Sequence, residues 1–159
     1  MYGVCNVYYN GGDEVVLMAK VVGPVQEATR VRQSWGSFID VVVHGSRPIV
    51  VKRNRDLFAA ISVDLLNEML EPYELTMVHY LEHDQSVTGA LQEIDLVGHA
   101  ESLEALRLLL AHDLVDYSQE YWENFDQYRH APNRRAHLPH VLRVLLQPDV
   151  EHVMALIHA

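Results

Sequence analysis

Only one cysteine, Cys5, occurs among the 159 residues, so no internal disulfide framework can form and a reducing compartment is the natural setting. No apolar run approaches the roughly 18 to 20 residues that a membrane span requires. The opening stretch MYGVCNVYYNGGDE lacks the basic start and apolar centre of a signal peptide. Together these absences predict a cytoplasmic protein with no membrane association. Internal repeats and low-complexity segments are missing as well. Positive charge is scarce, with 12 Lys or Arg against 22 Asp or Glu and a formal net charge of -10.

What remains is ordinary globular material. The chain is 49% hydrophobic and 21% charged, in the range of soluble domains, and its length suits one large domain or two small ones with a proper core. Its charge is unevenly divided. Residues 1 to 71 hold seven Lys or Arg against eight acids, whereas residues 72 to 159 hold five Arg against fourteen acids. Halves this different predict different partners, a polyanion for the first and a basic protein for the second.

Periodicity places the elements. Residues 4 to 22 read as a hairpin turning at Asn10-Gly11-Gly12, and Gly23-Pro24 ends it. Ala28, Val31, Trp35, Phe38, Ile39 and Val42 recur at helical spacing, with Arg30 and Arg32 flanking the stripe and Gly36 as the expected weak point. Two short strands, 48 to 52 and 57 to 61, follow. Ser62 is the expected N-cap of a helix that Pro72 stops. Strands are predicted over 74 to 83 and 86 to 97. Ser102 is then the expected cap of a helix carrying Leu103, Leu106, Leu110, Leu114, Tyr117, Tyr121, Phe125 and Tyr128 on one face, on the order of 40 Å long at 1.5 Å per residue. Short helices after Pro139 and after Pro148-Asp149 finish the chain. The expected class is α+β, with a division into residues 1 to 72 and 73 to 159.

The scarce cations concentrate at one point. Lys52, Arg53 and Arg55 crowd the tip of the expected 48-to-61 hairpin, where they repel one another and have only Asp56 nearby. Such a turn, with Arg30 and Arg32 from the preceding helix, can meet phosphates and give salt-dependent affinity for nucleic acid.

The order of residues in ATRVRQSWGSFIDVVVHGSRPIVVKRNRDLFAAISVDLLNEML, residues 28 to 70, resembles the N-terminal domain of the Phd/YefM antitoxins. Arg32-Gln33, Pro48-Ile49-Val50-Val51, Arg53 and Phe58-Ala59-Ala60-Ile61-Ser62 stand where that pattern wants them. The resemblance implies a small antiparallel sheet with helices that dimerises, binds the operator DNA of its own operon and neutralises a co-encoded toxin through its C-terminal region. It also implies that Arg32 and Arg53 lead the DNA contacts, with Arg30, Lys52 and Arg55 in support. This chain departs from the pattern in its leading hairpin, in a turn that lacks glycine, and in a second half that looks folded. Residues 86 to 117, SVTGALQEIDLVGHAESLEALRLLLAHDLVDY, resemble the HicB antitoxins more weakly, and HicB proteins also sit on toxins.

Other constellations carry less. His137-x-x-His140 with His130 and His152 offers imidazoles but no matched set or thiolate, so no metal is expected. Glu93, Asp95, His99 and Glu101 put two acids on one side of an expected strand, short of the convergence that a ribonuclease H-like nuclease needs. No cofactor and no enzymatic activity are expected. The stretch HDLVDYSQEYWENFDQY mixes acids with aromatics, and Asp116, Glu120, Tyr121, Trp122 and Phe125 are its candidates for meeting a basic toxin. The rival to a DNA-binding antitoxin is a dimeric protein-interaction module that has lost DNA binding.

Overall fold

The computed structural model describes residues 24 to 159, so the hairpin expected over residues 4 to 22 lies outside the described residues. Strand β1 (Val25–Glu27) runs parallel to β2 (Ile49–Arg53), which pairs antiparallel with β3 (Asp56–Ala60). Between β1 and β2 the expected helical stripe forms in three pieces: α1 (Ala28–Gln33), α2 (Trp35–Ile39) and a π-helical turn over Asp40–His44. The break falls at Ser34, not at Gly36. Its φ and ψ of -124° and 42° leave the helix, and its hydroxyl donates to the Arg30 carbonyl at 2.9 Å, the local competition that serine offers a helix. Val31, Phe38, Val42, Ile49 and Val51 bury as one cluster between these helices and a face of the sheet. Trp35, read as part of the buried stripe, is instead 58% exposed and stacks on Phe38 at a centroid distance of 5.5 Å.

The hairpin is tighter than the pattern predicts. Its strands are 49 to 53 and 56 to 60, leaving Asn54 and Arg55 as a two-residue turn. Asn54 takes a φ of 56°. Asparagine tolerates this left-handed region better than most residues, so it supplies the conformation that the missing glycine would have given.

Helix α3 (Val63–Leu70) begins as expected at Ser62, whose hydroxyl accepts from the Leu65 amide at 3.2 Å. The chain then enters a second sheet of order β6-β5-β4-β7. Strands β4 (Leu75–Leu81) and β5 (Val87–Leu91) pair antiparallel. The strand expected over 86 to 97 is two strands, because residues 92 to 96 turn and β6 (Val97–Ala100) doubles back on β5. Three contacts hold that turn: the Leu91 amide donates to the Leu96 carbonyl at 3.0 Å, Glu93 Oε2 accepts from the Thr76 amide at 2.8 Å, and Ile94 is buried.

Helix α4 (Leu103–Glu123) lies against this sheet, capped by Ser102, whose hydroxyl accepts from the Ala105 amide. The pattern predicts a helix about 40 Å long. The chain leaves helical geometry at Asn124 (φ -108°, ψ 34°) before α5 (Phe125–His130), which shortens α4 to about 30 Å. After a 3-10 turn over Arg135–His137, α6 (Leu138–Leu145) and α7 (Val150–Ala155) pack beside α4. Asp149 caps α7 by accepting from the His152 amide at 2.9 Å. The chain closes with β7 (Ile157–His158), two residues parallel to Leu75 and Thr76 of β4. Leu75, Met77, Leu106, Leu110, Leu114, Tyr121, Val141 and Ile157 belong to the second core. The architecture is thus mixed α+β with two small sheets and two buried clusters. No helix among the described residues is long and apolar enough to cross a membrane.

Candidate functional site

The register of the first sheet assembles the cationic end. Strand β1 is parallel to β2 with Glu27 opposite Lys52, so α1 starts at the end of the sheet that carries the turn. Arg30 and Arg32 occupy the last turn of α1. Lys52 and Arg53 are adjacent on β2 and therefore point to opposite faces, while Arg55 stands in the turn itself. All five side chains are exposed. Arg53 lies directly opposite Asp56 in the ladder, yet the ion pairs among the described residues, His44–Asp40 at 3.9 Å and His152–Asp149, involve none of the five. Their charge is directed at solvent, which suits a phosphate backbone.

The first sheet and the helical pieces packed on it also carry exposed apolar side chains. Phe58 is 53% exposed although it sits opposite the buried Val51, and Trp35, Val43 and Leu57 are exposed as well.

The acidic-aromatic candidates divide. Tyr121 is not a surface residue: it is fully buried in the second core, because its position on α4 falls on the stripe continued from Leu110, Leu114 and Tyr117. Burial, with Tyr117 beside it, pushes its phenol above the ordinary value. Phe125 is half-buried and packs on the same core. Trp122 is exposed and meets the Phe125 ring edge-on at 5.5 Å. Asp116 and Glu120 are exposed, and Glu120 Oε1 accepts from the Tyr128 hydroxyl at 2.6 Å, the hydrogen bond that raises the Tyr128 phenol. Arg134 lies between the rings of Tyr117 and Tyr128, 5.2 and 5.1 Å from their centroids. Of the five candidates, Asp116, Glu120 and Trp122 are the exposed ones.

The histidines have separate settings. His137 is buried and shares a 2.6 Å hydrogen bond with the Tyr117 hydroxyl through Nδ1. Burial, then nearby Arg134, lowers its pKa. His140 is lowered mainly by burial and meets the Tyr73 ring edge-on. His130 contacts the Asp126 carbonyl and His152 contacts Asp149. Among the described residues no three His, Cys, Asp or Glu side chains are grouped to hold a metal ion. The acids of the 93-to-101 stretch do not share a strand: Glu93 is tied to the Thr76 amide, and His99 is on β6 bonded to Thr88. The arrangement does not gather carboxylates at one point.

Sequence reasoning passed over one surface. On the face of the second sheet away from α4, Val78, Ala90 and Val97 form a row across three strands, and Tyr80, Thr88 and His99 form the next. Alternation in β4, with buried Leu75 and Met77 against exposed Val78 and Tyr80, was the available signal. It was faint because the outward residues are themselves apolar.

The family model for PHD-like antitoxins of RelE/RelB toxin–antitoxin systems matches residues 24–159. A crystal structure of an antitoxin part of a toxin/antitoxin system from Syntrophomonas wolfei subsp. wolfei superposes with a TM-score of 0.80 at 33% sequence identity, covering 86% of this chain and 98% of that one. No curated protein matches the chain.

Proposed function

The chain belongs to the PHD-like family of antitoxins of RelE/RelB toxin–antitoxin systems, and from that premise we propose that it neutralises a co-encoded toxin and represses its own operon. Its role is stoichiometric binding in the cytoplasm, without catalysis. Residues 1 to 72 form a Phd/YefM-type unit that dimerises and binds operator DNA, and residues 73 to 159 engage the toxin. The observation that carries the DNA half of this reading is the set of five exposed cations, free of ion pairs among the described residues, at one end of the first sheet. Arg32 and Arg53 lead the contacts, and Arg30, Lys52 and Arg55 add phosphate neutralisation. Dimerisation is supported by the exposed Trp35, Val43, Leu57 and Phe58, because a small sheet with short helices buries little on its own, and a two-fold protein matches a palindromic site.

Toxin engagement draws on the acidic second half. Asp116 and Glu120, four residues apart, share one exposed flank of α4, and Trp122 offers an exposed aromatic on the opposite flank, features suited to a basic surface. Bound there, the antitoxin occludes the toxin and offsets its cations.

The test uses the full chain with a fragment of its own promoter and with the toxin encoded beside it. Promoter binding should be firm at low salt and collapse at moderate salt, and co-expression with the toxin should restore growth. Absence of DNA binding at low salt removes the repressor role and favours a dimeric interaction module. Failure to restore growth removes neutralisation.

A further inference from the structure

The second sheet has an outer face that no element of the described chain covers. Helix α4 packs against Met77, Val87, Gly89, Leu91 and Gly98 from one side. On the other side the row Val78–Ala90–Val97 runs straight across β4, β5 and β6, with Val78 47% and Val97 69% exposed. The neighbouring row Tyr80–Thr88–His99 adds Tyr80 at 59%. Its polar members are already bonded. Thr88 donates its hydroxyl proton to Glu82 Oε1 at 2.9 Å, and the Thr88 hydroxyl oxygen accepts in turn from His99 Nδ1, also at 2.9 Å. The face is therefore ordered and largely apolar, the composition of a contact centre more than of a solvated sheet.

Its rim has one sign. No Lys or Arg occurs from residue 56 to residue 106, a stretch with eleven Asp or Glu. Glu82 and Asp84 stand at the β4–β5 end of the face, Asp95 precedes β6, and Glu101 follows it. Three of the five arginines of the second half are engaged elsewhere: Arg107 donates to the Ile157 carbonyl at 2.7 Å, Arg143 to the Tyr73 carbonyl at 2.6 Å, and Arg134 lies between two tyrosine rings.

We propose that this outer sheet face, centred on Val78, Tyr80 and Val97 and rimmed by Glu82, Asp84, Asp95 and Glu101, is a docking surface for the toxin, a basic protein. The inference rests on the antitoxin reading and adds to it a surface separate from Trp122. A basic partner finds apolar anchors at the centre and carboxylates around them, an arrangement that gives hot-spot affinity and electrostatic steering together. A second copy of this chain does not fit, because apposing two such faces brings two carboxylate rims together with no cation between them.

The experiment measures the affinity of the full chain for the co-encoded toxin by calorimetry. Val97→Asp and Tyr80→Ala change exposed side chains, and circular dichroism confirms that each variant stays folded. Val97→Asp should weaken binding about 30-fold or more and Tyr80→Ala about tenfold, the range of interface hot spots. Glu101→Gln should slow association and flatten its salt dependence, leaving the dissociation rate nearly unchanged. If wild type binds the toxin and both apolar variants bind equally well, the sheet face is not the dock while the antitoxin reading stands. If wild type does not bind, both fall. If Val97→Asp abolishes self-association of the chain in sedimentation experiments, the face belongs to a second copy and the proposal is overturned.

Discussion

Tyr117 and His137 meet inside the second core at 2.6 Å, joining α4 to the turn that precedes α6 across 20 residues of sequence. Neither residue is paired by any local pattern. The bond ties the long helix to the C-terminal helices, and Arg134 lies over the Tyr117 ring, 5.2 Å from its centroid.

Replacing Tyr117 by Phe removes the hydroxyl and leaves His137 Nδ1 unpaired in a buried site. The expected cost is about 1 to 3 kcal/mol, read as a lower urea midpoint with an unchanged slope.

The same site makes stability sensitive to acid. His137 and His140 are both held below the ordinary histidine value of 6.5, chiefly by burial. With a folded pKa lower than the unfolded one, the unfolded chain binds more protons as pH falls through that value. Stability is therefore full above it and declines progressively below it. Urea midpoints should drop between about pH 7.5 and pH 5.5, and a His137→Gln or His140→Gln variant should lose less over that interval.

Gly89 and Gly98 predict a graded pair. A Cβ on Gly89 would come within 2.9 Å of both Leu106 Cδ2 and the Val78 backbone oxygen, whereas one on Gly98 meets leucine methyl groups at 3.0 to 3.3 Å. Side-chain ends can shift and backbone cannot. Gly89→Ala should therefore cost about 1 to 3 kcal/mol and Gly98→Ala less, measured by thermal unfolding.

Asn54 predicts the opposite tolerance. At φ 56° glycine is at home, while a β-branched residue is strained by about 1 to 2 kcal/mol. Asn54→Gly should keep or raise the melting temperature and Asn54→Val should lower it. Neither changes the charge of the tip.

For the cations, Arg53→Ala should weaken promoter binding and reduce the slope of log K against log salt by about 1 with unfolding unaffected, since the side chain is exposed. A gel-shift series at several salt concentrations reads both quantities.

Much of this was legible along the chain, because the causes act within a few residues. Ser62 and Ser102 cap the helices expected of them, Pro72 follows the end of α3, and Asp149 starts α7. The stripe from Leu106 to Tyr121 marks the buried side of α4. That same stripe argued against Tyr121 as a contact residue, yet an acidic neighbourhood disguised it. The five cations were visible from charge clustering alone.

Sequence by itself settled the helix starts at Ser62, Ser102 and Asp149, the uneven distribution of charge and the α+β class, since capping and periodicity are decided by near neighbours. Tertiary structure alone decided the return of β6 onto β5, the attachment of β7 beside β4, and the sorting of apolar side chains into buried Met77 and exposed Val78, Tyr80 and Val97. Hydrophobicity says that a side chain gains from leaving water. Which face finds a helix to cover it depends on where α4 comes to rest, and that is a property of the whole folded chain.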